Sequence, residues 1–203
     1  MSTSSGRQAR GRGGRGGRGG RGARERILAA ARDVYLRRGI NVTGVAELCA
    51  EASVSKRTLY QQFAGKDEVI VAYLTDLAAD PAYPATAVLR RQDLAPRARL
   101  LELYATLTES RRPLRGCPFV NAAVELPDPH HPGRRIIAAY KEEFAERLSA
   151  LAREAGARGS ERVGPQLALL YDGAAARVTL FNSPEPASEA QALAAALLRS
   201  VID

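Results

Sequence analysis

Apolar residues recur at helical spacing along most of the chain, and no stretch of useful length alternates as a β-strand would. In the segment 43–66, four apolar residues follow the spacing i, i+3, i+4 and i+7: Val45, Leu48, Cys49 and Ala52. This spacing predicts one buried helix face. Ser53 lies where the chain must turn, and Ser55 is placed to cap a second helix over 56–62.

The second of these helices has two distinct faces. Leu59 and Phe63 are four residues apart, so they point back onto the first helix. Hydrogen-bonding side chains long enough to reach base edges and phosphates in a major groove occupy the outer face: Lys56, Arg57, Thr58, Tyr60, Gln61 and Gln62. The pattern therefore predicts a helix-turn-helix whose second helix binds DNA.

The rest of the chain also has helical periodicity, so the predicted fold class is all-α. Further helices are expected over 23–38, from 66 to about 79, and over 96–111, 118–126, 134–155, 165–181 and 188–201. Proline-containing segments at 80–84 and 126–133 separate some of them. We expect three parts: a disordered tail over 1–22, a three-helix DNA-binding domain over 23–66, and a helical effector-binding and dimerisation domain over 67–203.

Charge is concentrated at the N-terminus. Residues 1–26 contain eight Arg and one Glu, a net of +7 out of +8 for the 203-residue chain. The Arg-Gly repeats cannot build a packed core, which is why the tail is expected to be disordered. The tail could lie along DNA as a polycationic arm, or it could have no specific role. An alternative function is RNA or non-specific DNA binding through the tail. The tail contains no Phe or Tyr on which bases could stack, which weakens the RNA interpretation.

The stretch 24–74 resembles the DNA-binding domain of the tetracycline-repressor (TetR) family of bacterial transcription regulators. The marks of the resemblance are Gly39, Thr43, the run VSKRTLYQQF and Lys66-Asp67-Glu68. Two residues depart from the family pattern: Ser53 replaces the usual Gly at the turn, and Cys49 replaces the usual Ala between the two helices. Because a side chain is disfavoured at positive φ, Ser53 is expected to carry some strain.

The resemblance implies a homodimer that inserts residues 54–62 of each subunit into a major groove of a palindromic double-stranded DNA operator. Half-sites would lie about one helical turn apart, roughly 34–36 Å. We expect base contacts from Lys56, Arg57 and Thr58, and phosphate contacts from Thr43, Tyr60 and Lys66. Ser55 and Gln61 complete the expected surface. The alternative is that the two basic residues form only a solvated helix face.

The resemblance also implies that residues 81–203 pair with a second copy through the two C-terminal helices. The run Gly173-Ala174-Ala175-Ala176 would allow close helix approach there, although it could also be an ordinary buried face. Dimerisation is expected together with binding of a small-molecule effector.

Polar and aromatic groups on otherwise apolar helices are candidates for the effector pocket. These are Tyr104, Cys117, Phe119, Asn121, Tyr140, Phe144, Tyr171, Asp172 and Arg177. Taken alone, each of these residue types is found more often in a core or an interface than in contact with a ligand. As a set they predict an amphipathic, partly aromatic effector whose binding lowers DNA affinity, so that the protein acts as a repressor.

Other kinds of site find little support in the sequence. His130 and His131 lie in one proline-rich loop with Asp128, too few ligands for zinc, so no metal is expected. No nucleophile motif, phosphate-binding loop or dinucleotide fingerprint is present, so neither catalysis nor a cofactor is expected. With only two cysteines, and with no apparent signal or membrane-spanning segment, the sequence favours a reducing cytoplasm. As a DNA-binding protein, it is expected there in association with the nucleoid.

Overall fold

A computed structural model describes residues 16–109 and 113–202, with side chains from Gly22 onward. Within these residues the chain forms ten α-helices and no β-strand. Their bounds are α1 Gly16–Arg38, α2 Val45–Glu51, α3 Lys56–Gln62, α4 Lys66–Ala79, α5 Pro84–Leu89, α6 Pro96–Glu102, α7 Pro118–Glu125, α8 Pro132–Glu154, α9 Ser160–Phe181 and α10 Glu185–Val201. The all-α prediction is confirmed. In the described part of the chain, no helix is long and apolar enough to cross a membrane.

Helices α1, α2 and α3 pack on one another and form the three-helix unit. Leu48 and Leu59 are fully buried between them, and Cys49 is buried beside them. The turn between α2 and α3 has the predicted geometry, because Ser53 adopts φ +50°, in the left-handed region that an L-residue seldom adopts.

Helix α1 begins at Gly16, inside the segment that was expected to be disordered. The prediction rested on the inability of Arg-Gly repeats to build a packed core, and it did not consider extension of the neighbouring helix. Extending a helix that is already anchored at 23–38 needs no new nucleus, because each added residue gains a backbone hydrogen bond. The disorder prediction was therefore wrong for 16–22, and residues 1–15 lie outside the described part.

Helix α4 connects the three-helix unit to the larger half of the molecule, because it packs against both α1 and α8. In that larger half, α8 packs along α9 and α9 packs along α10. One continuous cluster of buried apolar side chains runs through both halves. A displacement of α4 therefore cannot be confined to one half, since packed interiors deform little.

One helix was not predicted, and several helix boundaries differ from those predicted. Helix α5 was missed, because Pro84 was treated only as a breaker although proline is favoured in a first helical turn. Helix α6 ends at Glu102 and continues as a 3₁₀ segment over Leu103–Leu107. Helix α10 begins earlier than expected, at Glu185, again with a proline in its first turn.

Helix α9 begins at Ser160, before the proline that was expected to start it. Close packing against α8 stabilises this first part of α9. At Gly164 an added Cβ would lie 2.0 Å from the Ser149 hydroxyl oxygen and 2.6 Å from the Ala145 carbonyl oxygen. Such tertiary contact outweighs the hydrogen bond that Pro165 cannot donate.

Candidate functional site

Helix α3 has a polar outer surface, and a side-chain cap fixes the start of the helix. Ser55 Oγ accepts a hydrogen bond from the Thr58 backbone N–H at 3.0 Å and lies 2.8 Å from Thr58 Oγ1. Lys56 and Arg57 follow the cap directly and are exposed. The cap thus holds two cations at the end of the helix where, as in other helix-turn-helix proteins, side chains contact bases.

Further along α3, Tyr60 and Gln61 are also exposed. Tyr60 is 55% exposed, so its ring and hydroxyl are both accessible on this surface. Next to α3, the Arg24 guanidinium lies over the Phe63 ring, 5.3 Å from its centroid. The outer surface of the three-helix unit therefore carries both charge and an uncovered ring.

Three residues of the predicted DNA contact set have structural partners in this arrangement. Thr43 is fully buried and its hydroxyl donates to the Gly39 carbonyl at 2.7 Å, so the expectation of a side-chain phosphate contact is corrected here. Thr58 is half-buried with its hydroxyl turned to Ser55. Lys66 is half-buried at the start of α4, and its Nζ donates to the Asn41 carbonyl at 3.4 Å.

A cavity of about 310 Å³ lies where the three-helix unit meets the larger half. We call it the junction cavity. Its walls come from α1, α4, α5, the 3₁₀ segment, α7 and α9, and they are mostly apolar. Three aromatic rings contribute to them: Tyr73, Tyr83 and Tyr171. This volume is of the size that suits a small ligand.

Few polar groups face the junction cavity, and most are already paired. Arg32 Nη2 lies 2.5 Å from Asp80 Oδ2, and this contact holds the pKa of the Asp80 carboxyl below its ordinary value. The Tyr171 hydroxyl lies 3.2 Å from Thr106 Oγ1. Burial raises the pKa of Tyr73, Tyr83 and Tyr171, so their hydroxyls are neutral hydrogen-bonding groups at neutral pH.

Of the nine residues predicted for an effector pocket, only Tyr171 lies on the wall of this cavity. Tyr104 is fully buried and donates to the Leu167 carbonyl at 3.0 Å. Phe119 and Tyr140 stack with their ring centroids 3.9 Å apart, and Phe144 lies beside Tyr140. These four residues form the aromatic core, which borders the cavity without facing it.

The remaining four predicted residues have other partners. Cys117 is buried, with Sγ 3.6 Å from Lys141 Nζ, and the same lysine pairs with Asp172. Asn121 Nδ2 donates to the Arg115 carbonyl at 2.6 Å. Arg177 is exposed, and its guanidinium lies 5.0 Å from the centroid of the Phe181 ring, so its expected place in the pocket is corrected.

The sequence analysis missed the walls contributed by Arg32, Leu36, Tyr73 and Leu77. These residues belong to α1 and α4, whereas all the predicted pocket candidates lie between 104 and 177. A useful signal was present in α4, because Tyr73 places a hydroxyl among aliphatic neighbours. Buried tyrosine hydroxyls usually require a partner, which makes such positions candidates for a cavity wall.

Helix α7 connects the cavity to the loop between α1 and α2. Its first residue, Pro118, lines the cavity. At its other end, Glu125 Oε2 accepts the Asn41 backbone N–H at 2.7 Å, and the Glu125 carbonyl accepts Asn41 Nδ2 at 3.0 Å. Ahead of the helix, Arg115 Nε donates to the Leu36 carbonyl at 3.1 Å. Both ends of α7 therefore contact the three-helix unit.

An uncovered apolar face runs along α9 and α10. Leu169, Leu180 and Leu193 are 74%, 73% and 58% exposed. Gly173 and Ala176 lie between the first two at helical spacing and are also exposed. A run of apolar side chains of this kind on a protein surface marks an interaction site.

Comparison with known families decides the identity of the chain. The family model described as bacterial regulatory proteins, tetR family, matches residues 27–73, and the model described as tetracyclin repressor-like, C-terminal domain, matches residues 96–194. A solved TetR-family transcriptional regulator from Streptomyces coelicolor is 32% identical, with 90% of this chain and 97% of that chain covered and a TM-score of 0.79. The chain belongs to the TetR family. It is a DNA-binding transcriptional regulator of that family.

Other TetR-type structures support the same assignment. A TetR-type regulator from Streptomyces avermitilis is 31% identical, covering 85% of this chain and 97% of that chain, with a TM-score of 0.69. Regulatory protein TetR from Rhodobacter sphaeroides is 22% identical, covering 89% and 99%, with a TM-score of 0.77, and it shows the fold alone. No match was found among curated proteins. TetR-family proteins are transcriptional regulators and not enzymes.

Proposed function

We propose that this TetR-family protein is a ligand-responsive repressor that binds a palindromic operator as a homodimer and is released by a small amphipathic molecule. The composition of the junction cavity wall carries the proposal. Arg32 and Leu36 of α1 and Tyr73 and Leu77 of α4 contribute to this wall together with residues of the larger half. A ligand in the cavity would therefore contact α1, which packs against α3, together with α4 and the larger half of the chain, which would pair with a second copy.

Contacts to DNA are assigned to the exposed side chains of α3. Lys56 and Arg57 are exposed beside the Ser55 cap, and Tyr60 and Gln61 extend the same surface. Arg and Lys are suited to guanine edges and to phosphates. A solvated helix face remains the alternative for the two cations, and alanine substitution separates the two possibilities.

Dimerisation is assigned to the apolar face of α9 and α10. Leu169, Leu180 and Leu193 are uncovered in one chain, and a second copy related by a two-fold axis would cover the same residues on both subunits. The small Gly173 and Ala176 between them would let the helices approach closely.

The class of effector follows from the walls of the junction cavity. Rings and aliphatic side chains make up most of the surface. The polar wall residues are Glu109, Thr106, the three tyrosines Tyr73, Tyr83 and Tyr171, and Arg32, which pairs with Asp80. A small aromatic molecule with one or two hydrogen-bonding groups fits this chemistry. Its entry would displace α7, and Glu125 would carry that displacement to Asn41 beside the DNA-binding helices.

The first experiment measures fluorescence anisotropy of duplex DNA from the upstream region of the protein's own gene over a salt series. Full-length protein is compared with a version lacking residues 1–15, which leaves α1 intact. Salt-resistant, sequence-dependent binding by both versions supports the proposal. Binding that ignores sequence and disappears with the tail favours the alternative function, RNA or non-specific DNA binding through the Arg-Gly segment.

A second experiment tests the cavity. Amphipathic aromatic compounds are screened for release of the bound duplex, and each active compound is retested on Ala85→Leu, which narrows the cavity at a buried wall position. Ala138→Leu, at an exposed position of α8, is the matched control. Loss of the response only in Ala85→Leu supports the assignment, and an equal response in both variants places the effector elsewhere.

A further inference from the structure

Arg99 is a buried cation without a buried counter-charge. Arg99 is 8% exposed, and it is the only charged residue among the buried residues of the described part of the chain. Its Nε donates to the Leu94 carbonyl at 2.8 Å, and no carboxylate of the described residues forms an ion pair with it. Buried guanidinium groups are normally paired, because removal of a charge from water is costly.

Arg99 lines a cleft of about 300 Å³ between α5, α6 and α8, which we call the arginine cleft. The cleft is distinct from the junction cavity, since the two have no wall residue in common. Leu89 and Leu151 are buried residues of its wall. Thr86 also lies in the wall, but its hydroxyl is neutral and supplies no counter-charge to the guanidinium.

Charged groups around the arginine cleft determine what it can accept. Arg90 is exposed in the wall, and Arg147 is already paired with Glu143. Glu154 supplies the one carboxylate among the wall residues, and it forms no ion pair within the described part of the chain. Asp93 also interacts with Arg99, but it is exposed, lies outside the wall and is paired with Arg91. Among the unpaired wall residues, two cations, Arg90 and Arg99, oppose one anion, which favours a singly charged anion over a dianion.

We propose that the arginine cleft is a second ligand site, which binds a small organic monocarboxylate. The carboxylate pairs with the Arg99 guanidinium, whose planar arrangement of N–H donors matches two carboxylate oxygens. The apolar body of the ligand packs on Leu89 and Leu151. Beside Arg99, the buried part of the wall consists of Thr86, Leu89 and Leu151, whereas Arg90, Gln92 and Glu154 are exposed. A ligand with one anionic group and an apolar body therefore fits this wall better than a sugar or a free inorganic anion.

The test uses isothermal titration calorimetry of the full-length protein with benzoate. Benzamide is the neutral probe of the same shape, and inorganic phosphate is the dianionic probe. We expect saturable binding of benzoate and much weaker binding of the other two. Equal binding of benzoate and benzamide, tighter binding of phosphate, or no saturable binding of benzoate overturns the proposal.

Substitutions locate the binding. Arg99→Met keeps the length of the side chain without its charge, and we expect it to weaken benzoate binding at least about tenfold, the usual effect of losing a charge-assisted hydrogen bond. Arg135→Met, at an exposed position of α8, makes the same charge change away from the cleft and should leave binding unchanged. Unchanged binding in folded Arg99→Met, or equal losses in both variants, refutes the site.

A further variant keeps the test decisive if Arg99→Met fails to fold. Glu154 is exposed, so Glu154→Gln should fold normally. Because this change removes a like charge near a bound carboxylate, we expect benzoate to bind about one and a half- to fivefold more tightly, the range usual for exposed charge pairs. Unchanged or weaker binding would show that the ligand does not lie beside Glu154.

Discussion

Gly116 provides the sharpest test of how the junction cavity is built. This residue adopts φ +55°, and an added Cβ would lie 2.3 Å from the carbonyl oxygen and 2.9 Å from the carbonyl carbon of Ala175. The neighbouring group is backbone of α9 and cannot rotate away. We expect Gly116→Ala to lower the free energy of unfolding by two separate effects, left-handed strain and steric overlap.

Each effect has a usual size. An L-residue in the left-handed region costs about 1–2 kcal/mol, and overpacking of a well-packed interior costs about 1–3 kcal/mol. Gly116→Ala should therefore lose about 2–5 kcal/mol if the two effects add. Gly159 separates them, because it has φ +63° and its nearest atom would be Glu161 Oε1 at 3.8 Å. Gly159→Ala should lose only about 1–2 kcal/mol.

The assay is urea-induced unfolding monitored by far-UV circular dichroism. All proteins are compared at one concentration, because pairing between chains would shift the urea midpoint of unfolding. The expected order of stability is wild type, Gly159→Ala, then Gly116→Ala. Equal losses in the two variants would show that the backbone near Ala175 yields to the added methyl group. A wild-type midpoint for Gly116→Ala would refute the tight contact between this loop and α9.

Three further predictions concern the DNA-binding helices and the cavity. Ser55→Ala removes the side-chain cap of α3 and should cost about 0.5–2 kcal/mol of stability in urea unfolding, with weaker DNA binding in anisotropy; an unchanged midpoint would contradict the capping role. Arg57→Ala should cost about 1–3 kcal/mol of binding to the cognate duplex while leaving the urea midpoint unchanged, whereas unaltered affinity would make Arg57 a solvated surface residue. Arg32 lowers the pKa of Asp80 in the folded state below its ordinary value of 3.8. The pair therefore stabilises the fold at pH values above 3.8, and this contribution is lost as the pH falls through the lower folded-state pKa. Asp80→Asn should therefore be less stable than wild type at neutral pH and approach it in strong acid, and a constant difference in urea midpoint across pH would contradict this linkage.

The helix-turn-helix could be predicted from the sequence because its determinants are local. The Ser55 cap, the Leu59 contact and the left-handed turn at Ser53 all lie within a few residues of one another. The fold class followed in the same way, since helical periodicity is a local signal.

The junction cavity could not be predicted, because its walls come from distant parts of the chain. Arg32 and Tyr171 meet in space only after α1, α4 and α9 have packed. Tyr104 and Phe119 have the same residue types as ligand-binding positions, yet both are fully buried in the core. Nothing in a one-dimensional pattern distinguishes an aromatic side chain that faces a void from one that faces another ring.

Under the proposed function, operator choice and ligand choice would depend on separate residues of this molecule. None of the exposed residues on the outer surface of α3 contributes to the junction cavity, whose nearest walls are the inner sides of α1 and α4. Substitutions at Lys56 or Arg57 would then alter which DNA is bound while the cavity stays intact. Substitutions at Ala85 or Thr106 would alter which molecule is sensed without changing the outer surface of α3. Gene duplication followed by drift in one of these two sets would yield regulators that keep their target genes and acquire a new signal, or keep the signal and acquire new targets.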